Sequence, residues 1–329
     1  MFYFIDNDST NPSYNLALEQ TIFDRLDRRH SYCMLWQNHN AVIVGRNQNT
    51  QAEINQPFVD AHGISVVRRH TGGGAVYHDL GNVNFTFITD ADAGGELDFK
   101  RFCTFIQEAL RSLGVPAEIS GRNDIVVNGQ KISGNAQYIR QSRVMHHGTL
   151  LYDSDLGVLS DALIANAKIE SRGIKSVRSR VTNIRPYMAS DMPVQEFIAA
   201  LRSRLVADLG MQDYALTAED KAAAQKLDAE VYSRWDWNYG ASPPHNVRKS
   251  RFVEGCGTVE AYIEADGGKI ASITFYGDFF GSEEAASLGA KLAGHRLERG
   301  DLSALLPSLA VSRYFHNMDE QTFLSLLLD

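Results

Sequence analysis

Three adjacent glycines, Gly72-Gly73-Gly74, sit inside the stretch RRHTGGGAVYHDLGNVNF and restrict the architecture more than any other feature. The flanking runs ISVVRR and NVNFTFIT are rich in β-branched and aromatic residues and read as strands. The glycines therefore occupy a strand-to-strand connection. A bare backbone costs conformational entropy, so something must need it: a tight turn, a phosphate cradle, or a slot into which a ligand presses. No G-x-x-x-x-G-K-[ST] phosphate loop occurs in the chain. The G-x-G-x-x-G dinucleotide fingerprint also fails, because Tyr77 takes its third glycine position and a strand follows rather than a helix. Arg69, His78, Asp79 and Asn82 surround the glycines with anion-pairing and hydrogen-bonding groups, which suits a phosphate or carboxylate with an apolar tail alongside.

The remaining elements alternate. A strand over Phe2–Asp6 precedes a helix in NPSYNLALEQTIFDRLDR, opened by Asn11, Pro12 and Ser13 and carrying Tyr14, Leu18, Ile22 and Leu26 on one face. YCMLWQ and AVIVG read as strands about an Asn38-His39-Asn40 turn. DFKRFCTFIQEALRSLG reads as a helix closed by Gly114. Short strands follow in AEIS, DIVV, KISG, AQYI and VMHHGTLLY, with hairpin chemistry at Asn128-Gly129. Helices dominate from Val194 to Trp235, and Pro243-Pro244 mark a linker. A two-strand hairpin around Asp266-Gly267-Gly268 and apolar helices to Leu328 complete a small α+β module.

Bulk properties exclude several classes. The net charge of −8 argues against a general nucleic-acid or anionic-membrane binder. Cys33, Cys103 and Cys256 follow no pairing rule, which argues against a disulfide framework or a thiolate zinc site. His62, His70, His78, His146 and His147 lack H-x-x-x-H spacing, and no G-x-S-x-G element is present for a serine hydrolase. MFYFIDNDST has no basic region ahead of a long apolar run, and no segment approaches the roughly 20 apolar residues that span a bilayer. A cytoplasmic protein is expected.

Two further segments carry charge where chemistry could use it. In GQKISGNAQ, Lys131 is followed by Ser133, Gly134 and Ala136, small residues that leave room for something bulky beside a compact cation. KIESRGIKSVRSRVTNIR carries Lys168, Arg172, Lys175, Arg178, Arg180 and Arg185 against the single acid Glu170, and reads either as a solvated loop or as an anion-binding flap. A magnesium ion riding on a nucleotide needs only a carboxylate or two, and Asp124 in GRNDIVV can supply one.

Taken together, these segments resemble the lipoate–protein ligase A family. RRHTGGGAVYHDLGNVNFTF is similar to its R-R-x-x-G-G-G-A-V-x-H-D-x-G-N signature, and GRNDIVVNGQKISGNAQ to its R-N-D-[IL] and K-[IF]-[SG]-G-x-A-Q segments. HHGTLL, which contains His147, and KSVRSRVTNI follow in the expected order. The likeness covers most of residues 1–185 and continues through the W-x-W-x-[FY]-G element at Trp235–Gly240. Four ordered motifs are far more specific than any one of them.

The resemblance implies an α+β fold, with a mixed-sheet catalytic module over 1–240 and an accessory module over 246–329. It implies two half-reactions: lipoate and ATP give lipoyl-adenylate and pyrophosphate, and the lipoyl group then passes to a lysine of an acceptor domain. By position, Arg69, Gly72, Gly73, Gly74, Ala75, Val76, Tyr77, His78, Asn82, Asp124, Gly134, Ala136 and His147 would surround the adenylate. Lys131 would be the catalytic lysine, contacting the acyl carbonyl and α-phosphate, and Lys175, Arg178 and Arg180 would lie in the adenylate-binding loop. Implied cofactors are ATP and Mg, the latter through Asp124. Implied acceptors are lipoyl domains of 2-oxoacid dehydrogenase E2 subunits or the glycine-cleavage H protein, served by a monomer. Two rivals remain: an ATP-independent octanoyl or lipoyl transferase working through a cysteine thioester, and a non-catalytic lipoyl-domain-binding protein. Cys33 and Cys103 lie in apolar patterns that read as core, which argues against the thioester.

Overall fold

The computed structural model describes residues 1–48, 50–90, 98–121, 123–163, 181–239, 247–266, 269–297 and 299–328. In chain order the strands of the first part are β1 (Phe2–Phe4), β2 (Ser31–Trp36), β3 (Ala41–Val44), β4 (Ser65–Arg68), β5 (Val76–His78) and β6 (Asn82–Asp90). They continue with β7 (Glu118–Ser120), β8 (Asp124–Val127), β9 (Gln130–Arg140), β10 (Arg143–Leu151) and β11 (Gln212–Asp213). An eight-stranded sheet has the order β11-β1-β2-β6-β10-β9-β8-β7, parallel at β11-β1-β2 and antiparallel from β2 onward. A smaller sheet, β4-β3-β5, lies beside it. The glycine run joins β4 to β5, as the sequence expects, with a strand and not a helix on its far side.

Alternation along β6 decides which face of the large sheet does what. Val83, Phe85 and Phe87 point into one core, where the helix Phe99–Ser112 packs Phe102, Cys103, Ile106, Ala109 and Leu110 against them. Its N-terminus is capped by Asp98, whose side chain accepts from the Arg101 amide, and Gly114 just beyond its end adopts φ +90°. Asn84, Thr86 and Ile88 point to the opposite face. There the helix Pro12–Arg25, capped by Asn11, lays Leu16, Leu18 and Ile22 over Met34, Trp36 and Met145. Asn84 and Thr86 are buried polar groups on that second face, so the sheet has a dry side and a side prepared for hydrogen bonding.

Two strand assignments need correction. KISG and AQYI form one strand, β9, because Asn135 carries the pairing past Gly134: Asn135 Nδ2 donates to Asn123 O (2.9 Å) and Asn123 Nδ2 returns to Asn135 O (2.6 Å). The C-terminal part has three strands rather than two: β12 (Val247–Val253), β13 (Gly257–Asp266) and β14 (Lys269–Gly277). The sequence of β12, VRKSRFV, hides its periodicity behind three cations, yet Val247 and Val253 still pack on the core below. That core gathers Val259, Ile263, Phe275, Leu288, Phe315 and Phe323 independently of the first part. The glycine pair expected at the β13–β14 turn and the Pro243-Pro244 linker lie outside the described residues. Among the described residues no helix is long and apolar enough to cross a membrane.

Phe87 is fully buried between β6 and the Phe99–Ser112 helix, so Phe87→Ala is expected to cost about 3–5 kcal/mol by urea denaturation. Phe252→Ala, on a ring 58% exposed, should stay within about 0.5 kcal/mol.

Candidate active site

Between the large and small sheets lies a cavity of about 280 Å³. Its floor is made of rungs of the large sheet. Trp36, Asn84 and Thr149 stand in register on β2, β6 and β10, and His147 stands between Thr86 on β6 and Ala136 on β9. The Gly134 amide donates to Thr149 Oγ1 (3.2 Å), extending the first rung to β9. Ile43, Val76 and His78 of the small sheet and Leu16 of the first helix complete the walls.

The three glycines do three different jobs. A Cβ on Gly72 would come within 2.3 Å of Phe279 O in the C-terminal part. Gly73 has φ +92°, and a Cβ there would meet Arg69 Nη2 at 2.9 Å and the Phe280 ring at 3.0 Å. On Gly74 a Cβ would meet nothing within 4 Å, and this residue lines the cavity. Close approach of other parts of the chain therefore requires the first two glycines, and only the third leaves open space.

Arg69 is almost fully buried and engaged with its own loop and with the backbone of β3. Nε donates to Thr71 Oγ1 (2.9 Å), Nη1 to Ile43 O (3.0 Å), and Nη2 to both Gly72 O (2.7 Å) and Gly74 O (2.8 Å). Burial, with Arg68 nearby, pushes its pKa down to about 10, against a smaller upward pull from Glu19. Thr71 Oγ1 also bonds His147 Nε2 (2.8 Å), and His147 Nδ1 donates to Glu19 (2.8 and 3.0 Å). Glu19 further accepts from Thr86 Oγ1 (2.6 Å), which accepts from Trp36 Nε1 (2.9 Å). A continuous buried chain thus runs from the indole under the floor to the carbonyls of the glycine run. The preceding Arg68 ties in the Trp235–Gly240 element: its amide donates to Asn238 Oδ1 (2.9 Å) and Trp237 Nε1 donates to its carbonyl (2.9 Å).

At the cavity mouth Lys131 Nζ pairs with Asp124 Oδ1 (2.8 Å), and both groups remain about a third exposed. Its ammonium passes over Gly134, where a Cβ would stand 2.8 Å from Nζ. The Lys131 carbonyl accepts from the Thr182 amide (3.0 Å), which pins the end of the basic segment to the reactive strand. His78 is buried, and desolvation, together with Arg69 and His147, pushes its pKa down to about 3. It stays uncharged across the physiological range.

The C-terminal part closes one side. Phe280 lines the cavity and packs edge-on against Phe99 (5.3 Å between centroids), and the Gly277 amide donates to Asn47 O (2.6 Å). Beyond Phe279 a larger groove, about 1050 Å³, runs between the two parts past Arg46, Arg140, Glu284 and Arg313. The smaller cavity is the candidate reaction chamber, because it alone of the two holds Lys131 and the open Gly74. On the short helix Thr50–Glu53, Glu53 has its pKa raised from an ordinary 4.5 to about 7 by burial and by Asp278 and Glu260 of the C-terminal part.

Of the residues expected at the site, Arg69, Gly73, Gly74, Ala75, Val76, His78, Asp124, Lys131, Gly134, Ala136 and His147 line this cavity. Gly72 faces the larger groove, and the Tyr77 ring points away, its hydroxyl donating to Asn40 Oδ1 (3.1 Å). Asn82 stands behind the wall and donates to Asn84 Oδ1 (3.0 Å). Lys175, Arg178 and Arg180 lie outside the described residues. Sequence reasoning missed Leu16, Glu19, Trp36, Asn84 and Phe280; the polar alternation Asn82-x-Asn84-x-Thr86 in a buried strand was the available signal. All three cysteines are buried and none lines the cavity. Burial raises the thiol pKa of Cys33 and of Cys103, the latter to about 12, so neither offers a thiolate.

A buried slot with an ammonium at its mouth suits activation of a small carboxylic acid. Residues 11–206 match the Lipoyl protein ligase A/B catalytic domain, and residues 242–327 match the Bacterial lipoate protein ligase C-terminus. The chain is 42% identical over 329 residues to Lipoate-protein ligase LplJ of Bacillus subtilis, covering 98% of this chain and 99% of that one. A crystal structure of P. falciparum LipL1 in complex with lipoate shares the fold with TM-score 0.81 at 23% identity, over 100% of this chain and 99% of that one. A crystal structure of lipoate-protein ligase A bound with ATP is 26% identical with TM-score 0.62, over 72% of this chain and 98% of that one. The chain belongs to the lipoate–protein ligase family, enzymes that activate lipoate with ATP and pass the lipoyl group to a lysine of lipoyl-domain proteins.

Any side chain at position 134 meets the Lys131 ammonium, while the rest of the strand is unaffected. Gly134→Ala should therefore keep its melting temperature within a few degrees yet lose about tenfold or more in lipoyl-adenylate formation. Retention of full activity would mean that Lys131 does not work from this position.

Proposed function

We propose that both half-reactions of lipoate ligation take place in this chamber. In the first, a lipoate carboxylate oxygen attacks the α-phosphorus of ATP and the bond to pyrophosphate breaks. In the second, the neutral amine of an acceptor lysine attacks the acyl carbonyl, AMP leaves, and the amine proton passes to solvent. Two anions must meet in the first step, so a cation is needed where charge accumulates. The placement of Lys131 Nζ over side-chain-free Gly134 is the observation that carries this reading. Arg69 acts by shaping the glycine run, since four of its bonds go to neighbouring backbone and Thr71. His78 and the backbone of Ala75 and Val76 wall the acyl-phosphate, and Phe280 keeps water from the mixed anhydride.

The finer assignments extend this reading. Lys175, Arg178 and Arg180 bind the adenylate, a role supported by their motif and by the Thr182–Lys131 anchor just beyond them. For magnesium the donor set fits a nucleotide-borne ion: the described residues hold no cluster of three or more His, Cys, Asp or Glu ligands, and Asp124 offers one carboxylate about a third exposed. Asp124 would hold it, and the ion when bound supplies charge neutralisation of the phosphates. The acceptors are lipoyl domains of 2-oxoacid dehydrogenase E2 subunits or the H protein, met by a cytoplasmic monomer. Residues 1–240 form the catalytic module and 246–329 an accessory module that repositions between the half-reactions.

Lys131→Ala is expected to fold normally and lose about 10²–10³ in lipoyl-adenylate formed per enzyme, read by chromatography of the adenylate. Undiminished adenylate from that variant would remove the assigned role. Cys103→Ser should leave the rate unchanged; a folded but inactive variant would revive the thioester alternative.

Repositioning has a pH signature. Because the docked Glu53 has a raised pKa, its contribution to docking is fully present below its ordinary 4.5 and is lost as pH rises through about 7. Small-angle scattering between pH 5 and 8 should show a more open molecule at the alkaline end, and Glu53→Gln should flatten that change. A wild-type profile independent of pH would contradict it.

A further inference from the structure

A break in the regular pairing of β9 decides where the Lys131 ammonium points. Gly134 and Ala136 face the chamber, while Asn135 and Gln137 turn to the other side, where both bond His146. Ser133 turns that way too, with its hydroxyl accepting from Asn135 Nδ2 (3.2 Å). Strict alternation would send Lys131 after them, away from the chamber. It does not go there, because the pairing with β8 runs Asp124–Gly134, Ile125–Ser133 and then Val126–Lys131, passing over Ile132. This bulge leaves Ile132 in the dry core and turns Lys131 over Gly134 on the chamber side. A slip in register here would withdraw the ammonium from the reaction.

A buried polar chain on the dry side holds that register. His146 of β10 is fully buried, stacked on Phe102 (4.8 Å between centroids) and flanked by Phe85 and Phe99. Among phenylalanines an imidazole is destabilising unless both its nitrogens are met. Both are met, Nδ1 by Gln137 Nε2 (2.9 Å) and Nε2 by Asn135 Oδ1 (3.2 Å). Two backbone carbonyls, which only accept, fix the directions. Gln137 Nε2 donates to Asp98 O (2.7 Å), so the same nitrogen donates to His146 Nδ1. Asn135 Nδ2 donates to Asn123 O (2.9 Å), so its Oδ1 accepts from His146 Nε2. Burial, with His147 adjacent, holds the His146 pKa well below the ordinary 6.5. Only the neutral ring accepts at one nitrogen while donating at the other. The chain thus runs from the cap of the Phe99–Ser112 helix to the Asn135–Asn123 clasp, which adjoins the Asp124–Gly134 pair and the bulge beyond it.

We propose that His146 is a positioning residue for adenylate formation: it holds Asn135 against Asn123, and with them the register that presents Lys131 to the chamber. The inference rests on the ligase reading and deepens it. His146→Phe keeps the ring stacking and removes both hydrogen bonds, whereas His146→Gln restores a donor and an acceptor. In lipoyl-adenylate formation His146→Phe should lose about tenfold or more in kcat per folded enzyme, with KM for lipoate within about twofold, because the apolar walls of the slot are unchanged. His146→Gln should recover most of that loss. Wild-type kcat in folded His146→Phe overturns the proposal. So does a loss that falls on KM, or one that His146→Gln shares in full, since a role in stability alone would then account for the residue. Should His146→Phe fail to fold, Gln137→Met, of similar length, removes the donor to Nδ1 and is judged by the same kcat and KM. Failure of the ligase reading is separately visible, as wild-type protein that forms no adenylate from lipoate.

Discussion

Arg69 Nη2 donates to the carbonyls of both Gly72 and Gly74, and this pair of bonds fixes the loop from which the chamber takes its shape. The guanidinium is held in turn through Thr71, His147 and Glu19 down to Trp36, so one buried polar chain connects the sheet floor to its glycine roof. Burying a cation and a carboxylate is expensive unless every lone pair and proton is engaged, and here nearly all are. The return is a roof that needs no reorganisation when charge develops beneath it. Removing any member would leave the others buried and unmet, which makes the network cooperative rather than additive.

Around that roof the two parts of the chain divide the labour. The catalytic part supplies a floor whose rungs alternate strictly between a dry core and a polar, ligand-facing side. The C-terminal part supplies a cover, and the glycine run is where the two meet: Gly72 accommodates the Phe279 backbone and Gly73 the Phe280 ring. The same bare backbone thus borders both the cavity and its cover. The cover rests on a few backbone contacts and an aromatic pair, with acidic groups close to one another at Glu53, Asp278 and Glu260.

Local chemistry made much of this legible before the fold was seen. Asn11-Pro12 announced its helix because capping is decided within a turn, and Gly114 stood where a left-handed residue was required. The glycine connection and Lys131 stood out because their neighbours are small. What stayed hidden depended on register. Trp36, Asn84 and Thr149 are far apart in sequence and become neighbours only across three strands. Glu19 belongs to no motif, and only the packing of its helix turns it onto His147. Tyr77 and Asn82 lay within the right motif but face away from the cavity. Arg69 read as an anion partner, yet its donors go chiefly to carbonyls three and five residues on and to the neighbouring strand.

The central claim, that this chamber activates a carboxylate by adenylation before any acceptor arrives, is tested most directly by isotope exchange. Labelled pyrophosphate is incubated with the purified protein, ATP, magnesium and lipoate, with no acceptor protein present. The account predicts label in ATP that depends on lipoate, because the adenylate forms and reverses on the enzyme. Acyl transfer between carrier domains without ATP, in folded protein that shows no exchange, would contradict it.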